Sequence, residues 1–161
     1  MRHTISVLVA NEFGVLSRIA GLFSGRGFNI ESLCVAETMD PDVSRMTIVT
    51  SGDDRILEQI TKQLNKVVTV QKVIDFTEKE HIERELALIK IQVTADNRAS
   101  LMSFVDIFRA KVVDVSPKSY TIEVTGDTEK IAAAARLLKP FGIKEIVRTG
   151  PIVIARSPKT K

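Results

Sequence analysis

The chain has 161 residues, of which 44% are hydrophobic and 27% charged, with a formal net charge of +3. It lacks tryptophan and has one tyrosine, so it shows no basic stripe with interleaved aromatic residues of the kind that nucleic-acid-binding proteins carry. No apolar run approaches the roughly 20 residues that cross a bilayer, and a single cysteine, Cys34, excludes an internal disulfide and suits a reducing compartment. We therefore expect a cytoplasmic protein that binds neither nucleic acid nor membrane.

The first half of the chain alternates strand and helix patterns. Apolar residues at every second position indicate strands, whereas Val15, Ile19, Leu22 and Phe23 recur at helical spacing and indicate one buried helix face. The predicted elements are a strand over 4–10, a helix over 15–25, strands over 28–39 and 43–50, a helix over 54–65 and a strand over 67–76.

The second half repeats this order after a charged segment, 77–83, which has almost no apolar residues and predicts a linker. The elements are a strand over Leu86–Val93, a helix over 98–110, a strand over Lys111–Val115, a strand through Tyr120, Ile122 and Val124, a helix from Thr128 that Pro140 stops, and a strand from Ile143 that extends toward Ile154. The sequence thus predicts an α+β protein with two ferredoxin-like βαββαβ domains in tandem, the first over 1–76 and the second over 84–161.

The second predicted strand presents apolar residues on a face that the helices of such a small domain leave open. Leu33, Val35 and Met39 alternate along it together with Glu31 and Glu37. Exposed sheet faces and edges need cover, and a second subunit is the simplest cover. We therefore expect a homodimer.

The turn between the first strand and the first helix is the strongest candidate for a binding site. Gly14 lies where the helix begins, so that the first backbone amides, including those of Val15 and Leu16, have no side chain beside them. Free amides at a helix N-terminus bind anions such as carboxylates. The glycine is equally consistent with a tight strand-to-helix turn that binds nothing.

Two asparagines support the binding interpretation. Asn11 ends the first strand, and Asn29 begins the second and can both donate and accept hydrogen bonds, as an α-amino acid requires. We expect the carboxylate of a small amino acid on the amides near Gly14 and its apolar side chain on Leu16 and Ile30. Asparagine is also a common turn residue, which leaves the structural alternative open.

The other polar residues favour structural roles. Gly21, Gly25 and Gly27 follow a helix instead of opening one after a strand, so they do not form a dinucleotide-binding fingerprint. The acidic residues of the predicted turns fit turn and cap positions better than a calcium loop. No nucleophile, base and orienting group lie at a recognisable spacing. We expect neither catalytic residues nor a metal site.

The run from Asn11 to Leu33, NEFGVLSRIAGLFSGRGFNIESL, resembles the signature of the small regulatory subunits of acetolactate synthase, also called acetohydroxyacid synthase. Ser44–Ile48 is similar to that family's third strand, and Asp114 and Val115 with Tyr120 are similar to its C-terminal hairpin. The resemblance extends over essentially the whole chain. It implies that the first domain is an ACT domain and that two ACT domains pair into one continuous sheet.

The resemblance also implies a ligand and a partner. Valine would bind at the interface of two ACT domains, and the matching positions are Asn11, Gly14, Val15 and Leu16 of one subunit with Asn29 and Ile30 of the other. Phe13 departs from the small polar residue expected in some members. The partner would be the large catalytic subunit, and thiamine diphosphate, FAD and magnesium would belong to that subunit, so that this chain carries no cofactor.

The predicted function is therefore regulatory. The chain would bind and activate the catalytic subunit in branched-chain amino acid biosynthesis, and valine would inhibit the complex by feedback. An amino-acid-binding ACT regulator of a different metabolic enzyme is one alternative, an enzyme in its own right is a second, and an RNA-binding ferredoxin-like module is a third. The second would need a catalytic set of residues, and the third would need exposed aromatic residues on the sheet.

Overall fold

The computed structural model describes residues 1–158, and these form two compact units. The first comprises Met1–Ile82 together with the residues from Ile152 onward, and the second comprises Glu83–Pro151. Each unit has its own antiparallel sheet and its own hydrophobic core. The predicted fold class, two ferredoxin-like units in tandem, is confirmed, whereas the predicted domain limits 1–76 and 84–161 stay a prediction.

The first unit follows the predicted order of elements. They are β1 (Arg2–Ala10), α1 (Val15–Ser24), β2 (Ile30–Glu37), β3 (Val43–Ser51), α2 (Asp54–Leu64) and β4 (Val70–Asp75). The strands pair in the order β2-β3-β1-β4. The strand β2 is therefore an edge of this sheet, and it lies beside β3 along its whole length.

The core of the first unit joins the apolar face of each helix to one face of the sheet. Each fully buried side chain of this size contributes about 1.5–3 kcal/mol relative to an exposed one. The buried residues are Ile5, Val7 and Val9 of β1, Val15, Ile19 and Phe23 of α1, Met46 and Ile48 of β3, and Leu57, Ile60 and Leu64 of α2.

The prediction that the apolar residues of β2 lie on an open face of the sheet is wrong in one respect. Leu33 pairs with Ile48, and directly opposed residues of antiparallel strands point to the same side, so Leu33 faces the helices and packs against the core. Val35 pairs with core residue Met46 and shares that side, although it is 40% exposed. The apolar residues Leu33 and Val35 therefore lie on the helix side of the sheet, and the case for a partner rests on the unpaired edge of β2.

The second unit repeats the arrangement. Its elements are β5 (His81–Gln92), α3 (Arg98–Ile107), β6 (Lys111–Val115), β7 (Ser119–Gly126), α4 (Thr128–Gly142) and β8 (Ile143–Arg148), with strand order β6-β7-β5-β8. The short strand β9 (Ile152–Ala155) belongs to the first unit and pairs with β5, whose first residues, His81 and Ile82, belong to that unit as well. The core residues are Ala87, Ile89 and Ile91 of β5, Leu101, Phe104 and Val105 of α3, Ile122 and Val124 of β7, and Ile131, Ala134 and Leu138 of α4.

Two element limits differ from those predicted. The helix α4 continues through Pro140 to Gly142, so that Pro140 removes one amide donor near the end of the helix without ending it. The actual end is Gly142, whose φ of +90° favours glycine. The strand β5 begins at His81, within the predicted linker 77–83. Among the described residues no helix is long and apolar enough to cross a bilayer.

Candidate functional site

The start of α1 has free backbone donors. Gly14 is the N-cap residue, with φ of 80°, and no side chain caps the helix. The first donor inside the helix is the Arg18 amide, which bonds to the Gly14 carbonyl at 3.0 Å. The amides of Val15, Leu16 and Ser17 precede it and have no acceptor within the helix. The prediction that a glycine begins an uncapped helix is confirmed.

The start of α1 also carries no negative charge of its own. Its first turn contains no acidic residue. In contrast, the Asp53 carboxylate accepts the Ile56 amide at 3.0 Å at the start of α2, and the Asp127 carboxylate accepts the Lys130 amide at 2.8 Å at the start of α4. The positive end of the α1 dipole is thus left for an external anion.

The neighbouring side chains of this turn differ in what they can contact. Val15 is 3% exposed and belongs to the core, so that it can offer a ligand only its amide. Leu16 is 47% exposed and can offer both its amide and its apolar side chain. Phe13 is fully exposed at the tip of the turn. The turn therefore combines backbone donors with one accessible aliphatic surface.

Asn11 is held by the hairpin between β2 and β3. Its side-chain nitrogen, Nδ2, donates to Oε1 of Glu37 at 3.1 Å and to the Pro41 carbonyl at 2.9 Å. Its backbone amide donates to the Asp42 carbonyl at 2.8 Å. Both hydrogens of Nδ2 are therefore engaged, and the amide oxygen is the part of the side chain left for a ligand.

Glu37 is a residue that sequence reasoning did not single out for this site. It lies 26 positions from Asn11, and no local motif links the two. Their contact follows from the pairing of both β1 and β2 with β3, because both strands end beside the start of β3.

Asn29 and Ile30 lie at the other end of the same sheet. Ile30 pairs with Thr50, which pairs with His3 near the beginning of β1, and the Asn29 carbonyl accepts the Thr50 hydroxyl at 2.7 Å. Gly14 lies at the opposite end of the sheet, shortly after Ala10, the last residue of β1. The seven positions between His3 and Ala10 correspond to about 24 Å of strand. One chain therefore does not bring the two groups of predicted site residues together.

The resolved pKa shifts arise from ion pairs outside this turn. A hydrogen bond to Glu85 raises the pKa of the Arg148 guanidinium, and the side chain of Glu85 is fully buried. A hydrogen bond from Lys62 lowers the pKa of Glu58 on the surface of α2. Within residues 1–158 no three acidic, histidine or cysteine side chains cluster as a metal site would require.

Two family models match the chain and cover most of it. Residues 5–72 match the family described as the AHAS small subunit-like ACT domain. Residues 84–157 match the family described as the small subunit of acetolactate synthase. The first match contains the β1–α1 turn and both asparagines.

Curated relatives match over nearly the whole chain. The acetolactate synthase small subunit of Mycobacterium bovis is 52% identical over 157 residues, which is 98% of this chain and 94% of the relative. That of Aquifex aeolicus is 52% identical and covers 99% of this chain and 84% of the relative. The probable small subunit of Archaeoglobus fulgidus is 51% identical and covers 99% of both.

A solved structure agrees with the fold. The crystal structure of the acetolactate synthase small subunit from Thermotoga maritima superposes with a TM-score of 0.90 at 40% identity, covering 98% of this chain and 99% of that one. The similarity thus extends from sequence to three-dimensional structure across both units.

Proposed function

The chain belongs to the family of acetolactate synthase small subunits, and we propose that it binds the catalytic subunit of that enzyme, raises its activity and makes it sensitive to valine. The observation that carries the proposal is the uncapped start of α1 in an ACT domain. This site offers hydrogen bonds to a carboxylate without an acid–base pair beside it. It therefore suits an effector better than a substrate.

Valine fits this site as follows. Its carboxylate accepts hydrogen bonds from the amides of Val15 and Leu16 next to Gly14, and its ammonium faces the free amide oxygen of Asn11. Its side chain contacts the exposed part of Leu16 and, across the interface, Ile30 of a second copy. The hydrogen bonds select an amino acid, whereas the apolar contacts discriminate between aliphatic side chains by only about 1–3 kcal/mol per methylene.

A second copy of the chain completes the site in this proposal. The edge strand β2 pairs antiparallel with β2 of the second copy, around a twofold axis perpendicular to the sheet. Antiparallel pairing brings the start of one β2 beside the end of the other. Asn29 of the second copy then lies near Glu37, which contacts Asn11. The roughly 24 Å separation within one chain is thereby removed.

Symmetry restricts the register of this pairing. Because directly opposed residues share a side of the sheet, the axis must pass beside a residue that faces its own copy. If that residue is Leu33, two aliphatic side chains on the helix side of the sheet face each other and Ser32 lies opposite Cys34. If it is Cys34, the two thiols face each other instead. We favour the register centred on Leu33, because it pairs apolar side chains.

Cysteine crosslinking tests this register. In Ser32→Cys, the introduced thiol lies opposite Cys34 of the second copy, so we expect a disulfide-linked dimer under mild oxidation. The two native Cys34 residues are diagonal neighbours about 7–8 Å apart, too far for a disulfide, so the unmodified chain stays uncrosslinked. The control carries Cys34→Ser as well and is expected to stay monomeric on a non-reducing gel. Crosslinking of the unmodified chain would contradict the register, and no crosslinking in any variant would contradict the pairing.

Regulation follows if valine binds two arrangements of the complex unequally. An effector shifts an equilibrium only by its difference in affinity for the two states, and typical coupling of about 1–3 kcal/mol changes affinity about 5–150-fold. Thiamine diphosphate, FAD and magnesium belong to the catalytic subunit in this proposal. A cytoplasmic location is part of it as well.

Activity measurements with the catalytic subunit test the function. The full chain is titrated into the purified catalytic subunit of acetolactate synthase, and acetolactate formation from pyruvate is followed with and without valine. We expect a saturable rise in rate, and valine is expected to reduce it. No rise on addition of the chain would contradict activation, and pyruvate turnover by the chain alone would contradict a regulatory role.

A further inference from the structure

We propose that Glu37 is a specificity-determining residue, which makes the start of α1 select α-amino acids over the 2-oxo acids of the same carbon skeleton. The inference rests on the proposed function, because it concerns the same effector. It explains what selects the amino group of the ligand, because the backbone amides of α1 contact only the ligand's carboxylate.

The orientation of the Asn11 side chain is fixed by what surrounds it. One neighbour is the Glu37 carboxylate and the other is the Pro41 carbonyl, and both can only accept hydrogen bonds. The nitrogen of Asn11 must therefore point toward them, because the opposite assignment would place its oxygen against two acceptors. The Asn11 oxygen is left to face a donor.

A ligand carboxylate on the amides of α1 therefore meets an acceptor at its α-position. The ammonium of an amino acid donates hydrogen bonds and is attracted by the Glu37 carboxylate. A 2-oxo acid has a carbonyl oxygen at the same position, which can donate nothing and faces acceptor oxygens. The same pair of residues that favours the amino acid thus disfavours the oxo acid.

The charge of Glu37 is not neutralised by the nearest arginine along β3. Glu37 pairs with Ser44, which also pairs with the core residue Val9, so Glu37 lies on the α1 side of the sheet. Arg45 is the next residue and points to the opposite side, where it donates to the Ser6 hydroxyl at 3.0 Å. The carboxylate of Glu37 thus acts on the side where the ligand would bind.

The test compares valine with 3-methyl-2-oxobutanoate, the oxo acid with the same carbon skeleton. Binding of each to the full chain is measured by calorimetry for the unmodified protein and for Glu37→Gln. Glutamine still accepts from Asn11, so the variant removes the charge and keeps the orientation. We expect valine affinity to fall by about tenfold, the factor that about 1.4 kcal/mol represents, with oxo-acid affinity unchanged or higher. Glu12→Gln removes the same charge from the adjacent turn and is expected to leave the ratio unchanged.

The outcomes separate this inference from the proposed function. If the unmodified chain binds valine and Glu37→Gln weakens both ligands equally, Glu37 only supports the loop and the inference is wrong. If Glu37→Gln leaves both affinities unchanged, or Glu12→Gln changes the ratio as much, the selectivity does not come from Glu37. If the unmodified chain binds neither ligand, the effector site itself is refuted.

Discussion

The two units place the same structural element, the turn between their first strand and first helix, in two chemically different states. In the first unit the turn ends in Gly14 and leaves the first amides of α1 unbonded within the helix. In the second unit, Asn97 closes the turn. Its side chain accepts the Thr94 amide at 2.8 Å and donates to the Gln92 carbonyl at 3.1 Å.

The difference shows how one fold separates binding from stability. No side chain caps α3 either, but the Arg98 amide, the first of that helix, donates to the Thr94 carbonyl at 3.2 Å. The amide of Val15, at the same position of the first unit, precedes the first hydrogen bond of α1, and leaving such a donor unbonded disfavours stability unless a ligand uses it. We therefore assign ligand binding to the first unit and a structural role to the corresponding turn of the second.

The largest expected effect comes from placing a negatively charged side chain at Gly14, in the turn of the first unit. Gly14→Asp places a carboxylate beside the amides that would bind valine. A Cβ atom at Gly14 would meet no other atom within 4 Å, and aspartate tolerates the left-handed conformation at a cost of about 1–2 kcal/mol. The protein should still fold and activate the catalytic subunit. We expect valine affinity to fall by about a hundredfold, which corresponds to about 2.8 kcal/mol of lost charged hydrogen bonds.

The matched control for this change is Gly14→Asn. It imposes the same backbone conformation and nearly the same shape, but it adds no charge. Its valine inhibition curve should shift much less than that of Gly14→Asp. Equal loss in both variants would attribute the effect to backbone strain, and normal valine inhibition in Gly14→Asp would contradict the site.

A smaller effect is expected from removing the Asn97 side chain, in the turn of the second unit. Asn97→Ala removes both side-chain hydrogen bonds of the second turn. It should lower the free energy of unfolding by about 1 kcal/mol, as the loss of such bonds usually does, and leave valine affinity unchanged. Urea unfolding and calorimetry measure the two quantities. A loss of valine affinity in this variant would mean that the two turns are not separate in function.

Local chemistry made much of the first turn predictable. A glycine between an apolar strand and an amphipathic helix, without Ser, Thr, Asp or Asn at the cap position, indicates an uncapped helix start. The helix α1 is found at Val15–Ser24, against the predicted 15–25. These features depend on residues within one or two turns of each other, which is the range over which sequence patterns are informative.

Contacts between distant residues were not predictable in the same way. Glu37 reaches Asn11, and Arg148 reaches Glu85 over 63 positions, only after the strands have paired. The side of the sheet on which Leu33 lies depends on register, and β2 has an irregularity between Ile30 and Ser32. A shift of one residue reverses every side chain of a strand, so that pattern alone assigned the wrong face.

Amide hydrogen exchange of the full chain with and without valine tests the central claim most directly. We predict that valine slows exchange at the amides of Val15, Leu16 and Ser17 and leaves exchange at the start of α3, at Arg98 and Ala99, unchanged. Valine binding that slows exchange at the start of α3 instead, or at neither helix start, would contradict the assignment of the ligand to the turn at Gly14.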